Sequence, residues 1–258
     1  MSAVPGSPRW IVPQWPAPAA VRALVTPRAG GVSRGPFGAA DGEGGLNLGM
    51  ASGDSADHVR ANRARLRAVL PAEPCWLRQV HGATVADIGA GEAPAPADAA
   101  ICLQAGQVCV VSIADCMPVL FAEREGRAVG VAHAGWRGLA AGILQNTAAA
   151  LRARLGEADA TLLAYLGPAI GPAHFEVGAE VLEAMSERLP RAAEAFRGTG
   201  RGKYLCDLFE LARQALAQAG VGAVFGGGDC TYSDPGRFYS YRRDGVTGRH
   251  AALVWIER

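Results

Sequence analysis

QVCVVSIADCMPVLFAEREGRAVGVAHAGWRGLAAGILQNTAAALRARL, residues Gln107–Leu155, decides the fold class. Three strand-like runs follow one another here: QVCVVSI (107–113), PVLFAE (118–123) and RAVGVAHA (127–134). Helical spacing appears only afterwards. From about Gly138 to Leu155, the residues Leu139, Ile143, Leu144, Thr147, Leu151 and Leu155 fall on one stripe. Strands in succession, without a helix between each pair, predict a mixed α+β fold and not a doubly wound one.

Working outward, VRALVT (21–26) reads as a strand, and a Gly-rich loop runs from Arg28 to Gly49. Loops of that length in compact domains are functional or disordered. Asp54 or Ser55 can cap a helix over 55–70, with Val59, Leu66 and Val69 on its apolar side. CWLRQVHGATVADI is β-rich in composition, and 89–97 reads as a surface loop. Downstream, TLLAYLG (161–167) reads as a buried strand. Helices are predicted at 178–189 and at 207–219, the second started by Asp207, and strands near 221–225, 237–241 and 251–256. There is no repeat and no dividing linker. The expected organisation is a flexible arm at 1–20 and one domain at 21–258.

Composition narrows the partners. The chain has 258 residues, half of them hydrophobic, and a formal net charge of +1, so neither nucleic acid nor an anionic membrane is the expected partner. Lys203 is the only lysine, which cautions against over-reading any one arginine. Six cysteines at 75, 102, 109, 116, 206 and 230 contain no C-x-x-C and do not have the spacing of a small stapled scaffold, so free thiols are expected. The proline-interrupted N-terminus does not read as a signal peptide. No apolar run reaches the roughly 18 residues of a membrane helix. A cytoplasmic monomer or weak homodimer is expected.

The hairpin carries the chemistry. A turn centred between Arg124 and Glu125 sets Cys116 opposite His133 on one face, with Cβ atoms about 4.5–5.5 Å apart. That separation suits two ligands on one metal, with bonds of about 2.3 Å to sulfur and about 2.0–2.1 Å to nitrogen. Moving the turn by one residue makes the pair diagonal. His81 in RQVHG is the candidate third ligand, since Gly82 would permit close backbone approach; His174 competes with it. His58 is placed on an exposed helix side and His250 at the edge of a terminal strand. Against this stands the plain alternative that a single cysteine is a small buried hydrophobe and a single histidine a hydrogen-bonded structural residue.

The motifs RQVHGATV (78–85), ADA (97–99), IADCMPVL (113–120), VGVAHAGWRG (129–138), LGPAIGPAHFEVG (166–178) and YSYRRDGVTGRHAALVWI (239–256) occur in this order. TPRAGGVS, LNLG, GD and VRANR precede them. Over about 21–257 the chain resembles the YfiH/laccase-domain family, also called multicopper polyphenol oxidase-like. The resemblance implies a four-layer α/β/β/α fold, likened to the cytotoxic necrotizing factor toxins, and a zinc site at His81, Cys116 and His133. It implies phosphorolysis of adenosine, inosine, guanosine or methylthioadenosine, with some adenosine deamination. The older family name implies a copper laccase.

Three protein ligands leave a coordination position open, the mark of a catalytic zinc. Phosphorolysis needs donors that grip an oxyanion beside the ribose C1′. Arg28 and Ser33 in the Gly-rich loop, with Arg63, are candidates for that role, although a solvated surface charge is the commoner use of an arginine. Asn47 and Gln79 are candidates to read the purine or ribose. Five histidines are too few for a multicopper cluster, though a His₂Cys centre also takes copper. Two other classes stay open: a hydrolase or amidase on peptides or peptidoglycan precursors, with Cys116 as nucleophile and His133 as base, and a metal-binding regulatory module without turnover.

Overall fold

The three strand-like runs separate into two different sheets in the computed structural model, which describes residues 10–90 and 96–257. Strands are numbered β1–β14 and helices α1–α6 in chain order. One sheet has four strands in the order β1 (Val21–Val25), β14 (His250–Ile256), β6 (Val108–Ile113) and β3 (Cys75–Trp76). The other has six, in the order β13 (Ala223–Gly226), β9 (Leu162–Leu166), β7 (Met117–Glu123), β8 (Val129–Ala134), β5 (Ala99–Cys102) and β4 (Val85–Asp87). Both sheets mix parallel and antiparallel pairs. A small third sheet is built from β10 (Glu176–Gly178), β12 (Lys203–Cys206) and β11 (Phe196–Gly200).

The two large sheets pack face to face. Val111, Ile113, Ala252 and Val254 of the first meet Ala100, Cys102, Leu120 and Val131 of the second in one apolar layer. Alternate residues point outward, as the two-residue period of a strand requires. Leu253, Trp255 and Val110 bury against Leu66 of α1 (Ala56–Arg67). Val119, Phe121 and Ala132 bury against Leu139 of α2 (Trp136–Ala141), Leu144 and Leu151 of α3 (Ile143–Leu155), and Leu211 and Leu216 of α5 (Leu208–Gln218). Met185 of α4 (Ala179–Arg188) joins the same cluster. This is the expected α/β/β/α stack. Runs such as PVLFAE lack polar alternation because both of their faces are covered.

Several expectations shift. The single helix expected over Gly138–Leu155 is two, because Gly142 adopts φ +88° and ends α2 before α3 begins. Neither expected cap of α1 works as such: Ser55 makes no side-chain cap bond, and Asp54 Oδ2 accepts instead from Ser33 and Asn47. Val59 and Leu66 are buried, but Val69 lies past the helix end and is exposed. Asp207 does cap α5, accepting from the amides of Phe209 and Glu210. The Gly-rich loop is ordered by strand β2 (Ala29–Ser33), which bridges to Gly45. Gly31 is required there, since a Cβ would run into the Gly45 carbonyl.

No strand forms at 237–241. The Tyr239 amide donates to the His250 Nε2 at 2.6 Å and not to a neighbouring strand, and the chain turns into α6 (Tyr241–Asp244). His250 is the first residue of β14, paired with Ile113 of β6, so it does stand at the edge of the terminal strand, and it is fully buried. Burial pushes its pKa down to about 3 and keeps it neutral, able to accept that bond. Of the expected arm, residues 1–9 lie outside the described residues, as do 91–95 of the predicted surface loop. Further along the arm, Ile11 exchanges two hydrogen bonds with Val25, and Trp15 meets the Tyr165 ring edge-on at 6.1 Å, so this part is docked and not loose. Among the described residues all six cysteines are free thiols, and no helix is long and apolar enough to cross a membrane.

Tyr239 ties the end of the chain to the Gly-rich loop. Its buried hydroxyl donates to the Phe37 carbonyl at 2.6 Å. Tyr239→Phe leaves that acceptor unpaired in a dry site and is expected to cost about 1–3 kcal/mol, read as a lower denaturant midpoint with an unchanged m-value; an unchanged midpoint would show that the bond carries no stability.

Candidate metal centre and cleft

Strands β5, β7 and β8 end at the same rim of the six-stranded sheet, and the loop after β3 closes over them. The hairpin register pairs Pro118 with His133 and Met117 with Ala134. The turn therefore sits one residue later than the sequence suggests, and Cys116 and His133 are diagonal, not opposed. They still share a face, because moving a hairpin turn by one residue shifts the pairing by two and preserves the alternation. One further step of the register brings Gly135 opposite Cys116. A Cβ on Gly135 would lie 2.7 Å from the Cys116 Sγ and 3.6 Å from the His81 ring, so the glycine of AHAGW supplies the space in which the cluster meets.

His81, Cys116 and His133 offer one imidazole nitrogen each from the histidines and one sulfur, all within 4.8 Å of one another. The histidine rings lie edge-to-face at 4.8 Å. His133 is buried and His81 exposed, so the cluster opens on the His81 side. His174 is elsewhere, stacked on Tyr232 at 4.3 Å. Two imidazoles and a thiolate at this spacing are a donor set for a divalent transition metal.

Asp98, fully buried, organises the cluster. Its carboxylate accepts from the amides of Val80, His81 and Gly82 at 3.1, 2.9 and 2.7 Å, and contacts the His133 Nδ1 at 2.8 Å. Its carbonyl accepts from the His133 amide at 2.7 Å. The Nδ1 proton directed at Asp98 leaves Nε2 for a metal. Gly82 serves here as a donor and not through close approach, since a Cβ there would meet nothing nearer than 3.6 Å. Burial alone would raise the Asp98 carboxyl; the imidazole and the amides outweigh it and hold it below the usual carboxylate range. Burial would likewise raise the Cys116 thiol, but His133 and His81 bring it down to about 6. Burial would lower His133, and Cys116 and Asp98 carry it up to about 9. Each thus favours the charged form of the other, thiolate beside imidazolium.

The backbone is bent to hold these groups. His81 and Asp115 have φ +60° and +86°, two of the three non-glycine residues with positive φ among those described. Asp115 is secured by the Thr231 hydroxyl and the Arg242 amide, both at 2.6 Å.

The cluster lies in a cleft of about 730 Å³ whose walls include Arg63, Arg78, Arg242 and Arg249 beside Leu77, Ile170, Phe175 and Tyr241. Residues 22–257 match the family model described as multi-copper polyphenol oxidoreductase laccase. The chain belongs to this family. A relative from Escherichia coli named purine nucleoside phosphorylase YfiH is 48% identical over 249 residues, spanning 95% of this chain and 98% of the relative. A purine nucleoside phosphorylase from Pseudomonas aeruginosa is 47% identical, spanning 96% and 98%. Among solved structures, a Neisseria meningitidis protein of the DUF152 family superposes with a TM-score of 0.86 at 45% identity, covering 96% of this chain and 99% of that one. YlmD from Geobacillus stearothermophilus gives 0.82 at 32%, with 93% of each chain covered.

Within this member of the family the substrate candidates separate. Arg63 lines the cleft, stacked on Trp76 at 3.7 Å and donating through Nε to the Leu48 carbonyl. Gln79 also lines it, but both ends of its amide are bound to the Ser112 backbone. Arg28, Ser33 and Asn47 do not reach it. Arg28 donates to the carbonyls of Gly38 and Pro235 and lies over Tyr239. Ser33 donates to Asp54 and accepts from Asn62. Asn47 joins Ser52 and Asp54 to the amides of Gly49 and Arg249. All three are buried, their polar atoms taken up by carbonyls, amides and side chains that hold the Gly-rich loop against its neighbours. Sequence reasoning missed Asp98, Asp115, Gly135 and Arg249; the motifs ADA, ADC, AHAGW and TGRHAA contain all four, but nothing in their spacing distinguishes their roles.

In metal-free protein, ultraviolet thiolate absorbance from Cys116 is expected to titrate with a midpoint near pH 6, thiolate above and thiol below, and to move upward in His133→Ala. A midpoint in the ordinary thiol range would remove the ion pair. Asp98→Asn should weaken metal binding by about 10–100-fold with all three ligands intact; unchanged affinity in a competitive chelator titration would show that His133 needs no such support.

Proposed function

We propose that the chain is a zinc-dependent purine nucleoside phosphorylase acting on adenosine, inosine, guanosine and methylthioadenosine, with a slower adenosine deaminase activity. One observation carries the reading. The His81–Cys116–His133 cluster lies in an arginine-lined cleft, in a chain 47–48% identical over nearly its whole length to proteins named purine nucleoside phosphorylase. The donor set fits zinc; bound there with three protein ligands, zinc supplies Lewis acidity at the cleft. The same donors also suit copper.

In phosphorolysis a phosphate oxygen bonds to the ribose C1′ as the bond from C1′ to the purine nitrogen breaks. That electron pair leaves with the base, which takes a proton, and ribose 1-phosphate remains. The chain's own residues serve both ends. The cationic side chains Arg63 and Arg249 offset the charge of phosphate, and Ile170, Phe175 and Tyr241 offer apolar surface to a purine ring. Asp98 keeps His133 oriented. A multicopper laccase would need further histidines beside this cluster. His58 pairs with Asp54, His174 stacks on Tyr232 and His250 lies in the core, so none is placed to serve.

A second reading rests on one geometric fact: His133 contacts the Asp98 carboxylate through Nδ1 and lies beside the Cys116 sulfur. That arrangement would suit a cysteine hydrolase or amidase acting on peptides or peptidoglycan precursors.

Purified protein is expected to carry one zinc per chain and to convert inosine and phosphate to hypoxanthine and ribose 1-phosphate. Cys116→Ala should lose most of the metal, and His81→Ala should lose phosphorolysis and deamination together while remaining folded. Chromatography of products and metal analysis decide. Intact nucleosides in the presence of phosphate, with amide cleavage by metal-free protein, would replace this reading with the hydrolase.

A further inference from the structure

Arg249, over the Tyr241 ring at 5.8 Å, is with the exposed Arg78 a cation of the cleft wall that no carboxylate among the described residues pairs. It precedes β14 and is only partly exposed. Its Nη1 donates to the carbonyls of Thr247 and Gly248, both at 3.0 Å. Nε and Nη2 have no protein acceptor among the described residues, and the guanidinium has no carboxylate within ion-pair distance there. Asp115, the one carboxylate among the described residues lining the cleft, already has both oxygens engaged by Thr231 and Arg242. Holding an unpaired guanidinium away from bulk water is unfavourable unless an anion completes it.

The surroundings are shaped for this side chain. The Arg249 amide donates to Asn47 Oδ1 at 2.8 Å, and its carbonyl accepts from the Leu48 amide at 3.1 Å. The stem lies across Gly49, where a Cβ would come within 2.6 Å of Arg249 Cγ and 3.0 Å of its Cβ. These are atoms at the base of the side chain, which cannot swing aside, so Gly49 has to lack a side chain. The LNLG segment is thus a seat for Arg249. It also sets Arg63, whose Nε donates to the carbonyl of Leu48, the residue whose amide holds Arg249. Two guanidinium groups are brought to one wall of the metal cleft by a single peptide segment.

We propose that Arg249, seated by Asn47, Leu48 and Gly49, is the residue that grips a tetrahedral oxyanion in this cleft, and that the oxyanion is the inorganic phosphate co-substrate. The assignment of that anion rests on the phosphorylase reading above. A free Nε–H and Nη2–H edge matches two oxygens of a phosphate, which a single ammonium does not. The same chemistry would accept the phosphoryl group of a nucleotide, so the source has to be tested directly.

The test is calorimetric binding of inorganic phosphate, and separately of adenosine 5′-monophosphate, to the metal-loaded wild type, Arg249→Gln, Arg249→Lys and Gly49→Ala, with metal content and melting temperature recorded for each. Phosphate should bind the wild type about 10–100-fold more tightly than Arg249→Gln. Arg249→Lys should fall between them. Gly49→Ala should bind phosphate weakly although Arg249 is retained. KM for phosphate should rise in the same order, with KM for inosine little changed. Equal phosphate affinity in the wild type and folded, metal-loaded Arg249→Gln overturns the proposal. Tight nucleotide binding that needs Arg249, with no binding of inorganic phosphate, overturns the co-substrate assignment. Arg249-dependent phosphate binding without nucleoside cleavage supports the anion site and sinks only the phosphorylase reading.

Discussion

The centre depends on one buried carboxylate. Asp98 accepts from three consecutive amides and contacts the His133 ring, and so joins a loop that has no strand of its own to a strand in the six-stranded sheet. A buried carboxylate is tolerated only when its oxygens are satisfied. Here the groups that satisfy it are the groups that must be positioned. Remove the charge, and both the His81 backbone and the His133 tautomer lose their reference point.

That arrangement has a conformational cost. His81 and Asp115 occupy left-handed backbone, each at a cost of about 1–3 kcal/mol. In both cases a carboxylate offsets it. The His81 amide is bound by Asp98, and Asp115 is itself held by Thr231 and by the first turn of α6. Positive φ at His81 lets Val80, His81 and Gly82 all donate to one side chain. At Asp115 it redirects the chain into β7, so that Cys116 enters the hairpin facing His133. The strain lies where the three side chains converge from separate elements.

The cleft wall follows a different rule. Its arginines are held by carbonyl groups and aromatic faces: Arg63 by Leu48 and Trp76, Arg242 by the Glu176 carbonyl and Phe175, Arg249 by Thr247 and Gly248. Carbonyls orient a guanidinium without neutralising it. Elsewhere on the molecule both arrangements occur: Arg127 pairs with Glu123 and Glu157, whereas Arg152 and Arg213 donate to carbonyls. At the cleft, Arg63, Arg242 and Arg249 all lie on the wall without a carboxylate of the described residues in ion-pair distance.

By itself the sequence determined the class of fold, most of the long elements and the grouping of His81, Cys116 and His133. Both faces of β7 and β14 are apolar, and the stripe through Leu139, Leu144 and Leu151 is helical, so local composition was enough for those elements. Cys116 and His133 were legible because strand alternation survives a one-residue error in turn position. His81 was legible as one choice among few histidines. Tertiary structure alone decided the rest. It broke the helix at Gly142 and carried Tyr239 to a histidine in the core in place of a strand. It also sorted the substrate candidates: Arg63 and Gln79 line the cleft, Arg28, Ser33 and Asn47 are bound to carbonyls, side chains and amides outside it, and Arg249, about 200 residues from Asn47 in the chain, arrived in the cleft. An arginine reads the same in sequence whether its guanidinium meets a carbonyl, a carboxylate or an open cleft. Only the packing of distant segments sets which of these it meets.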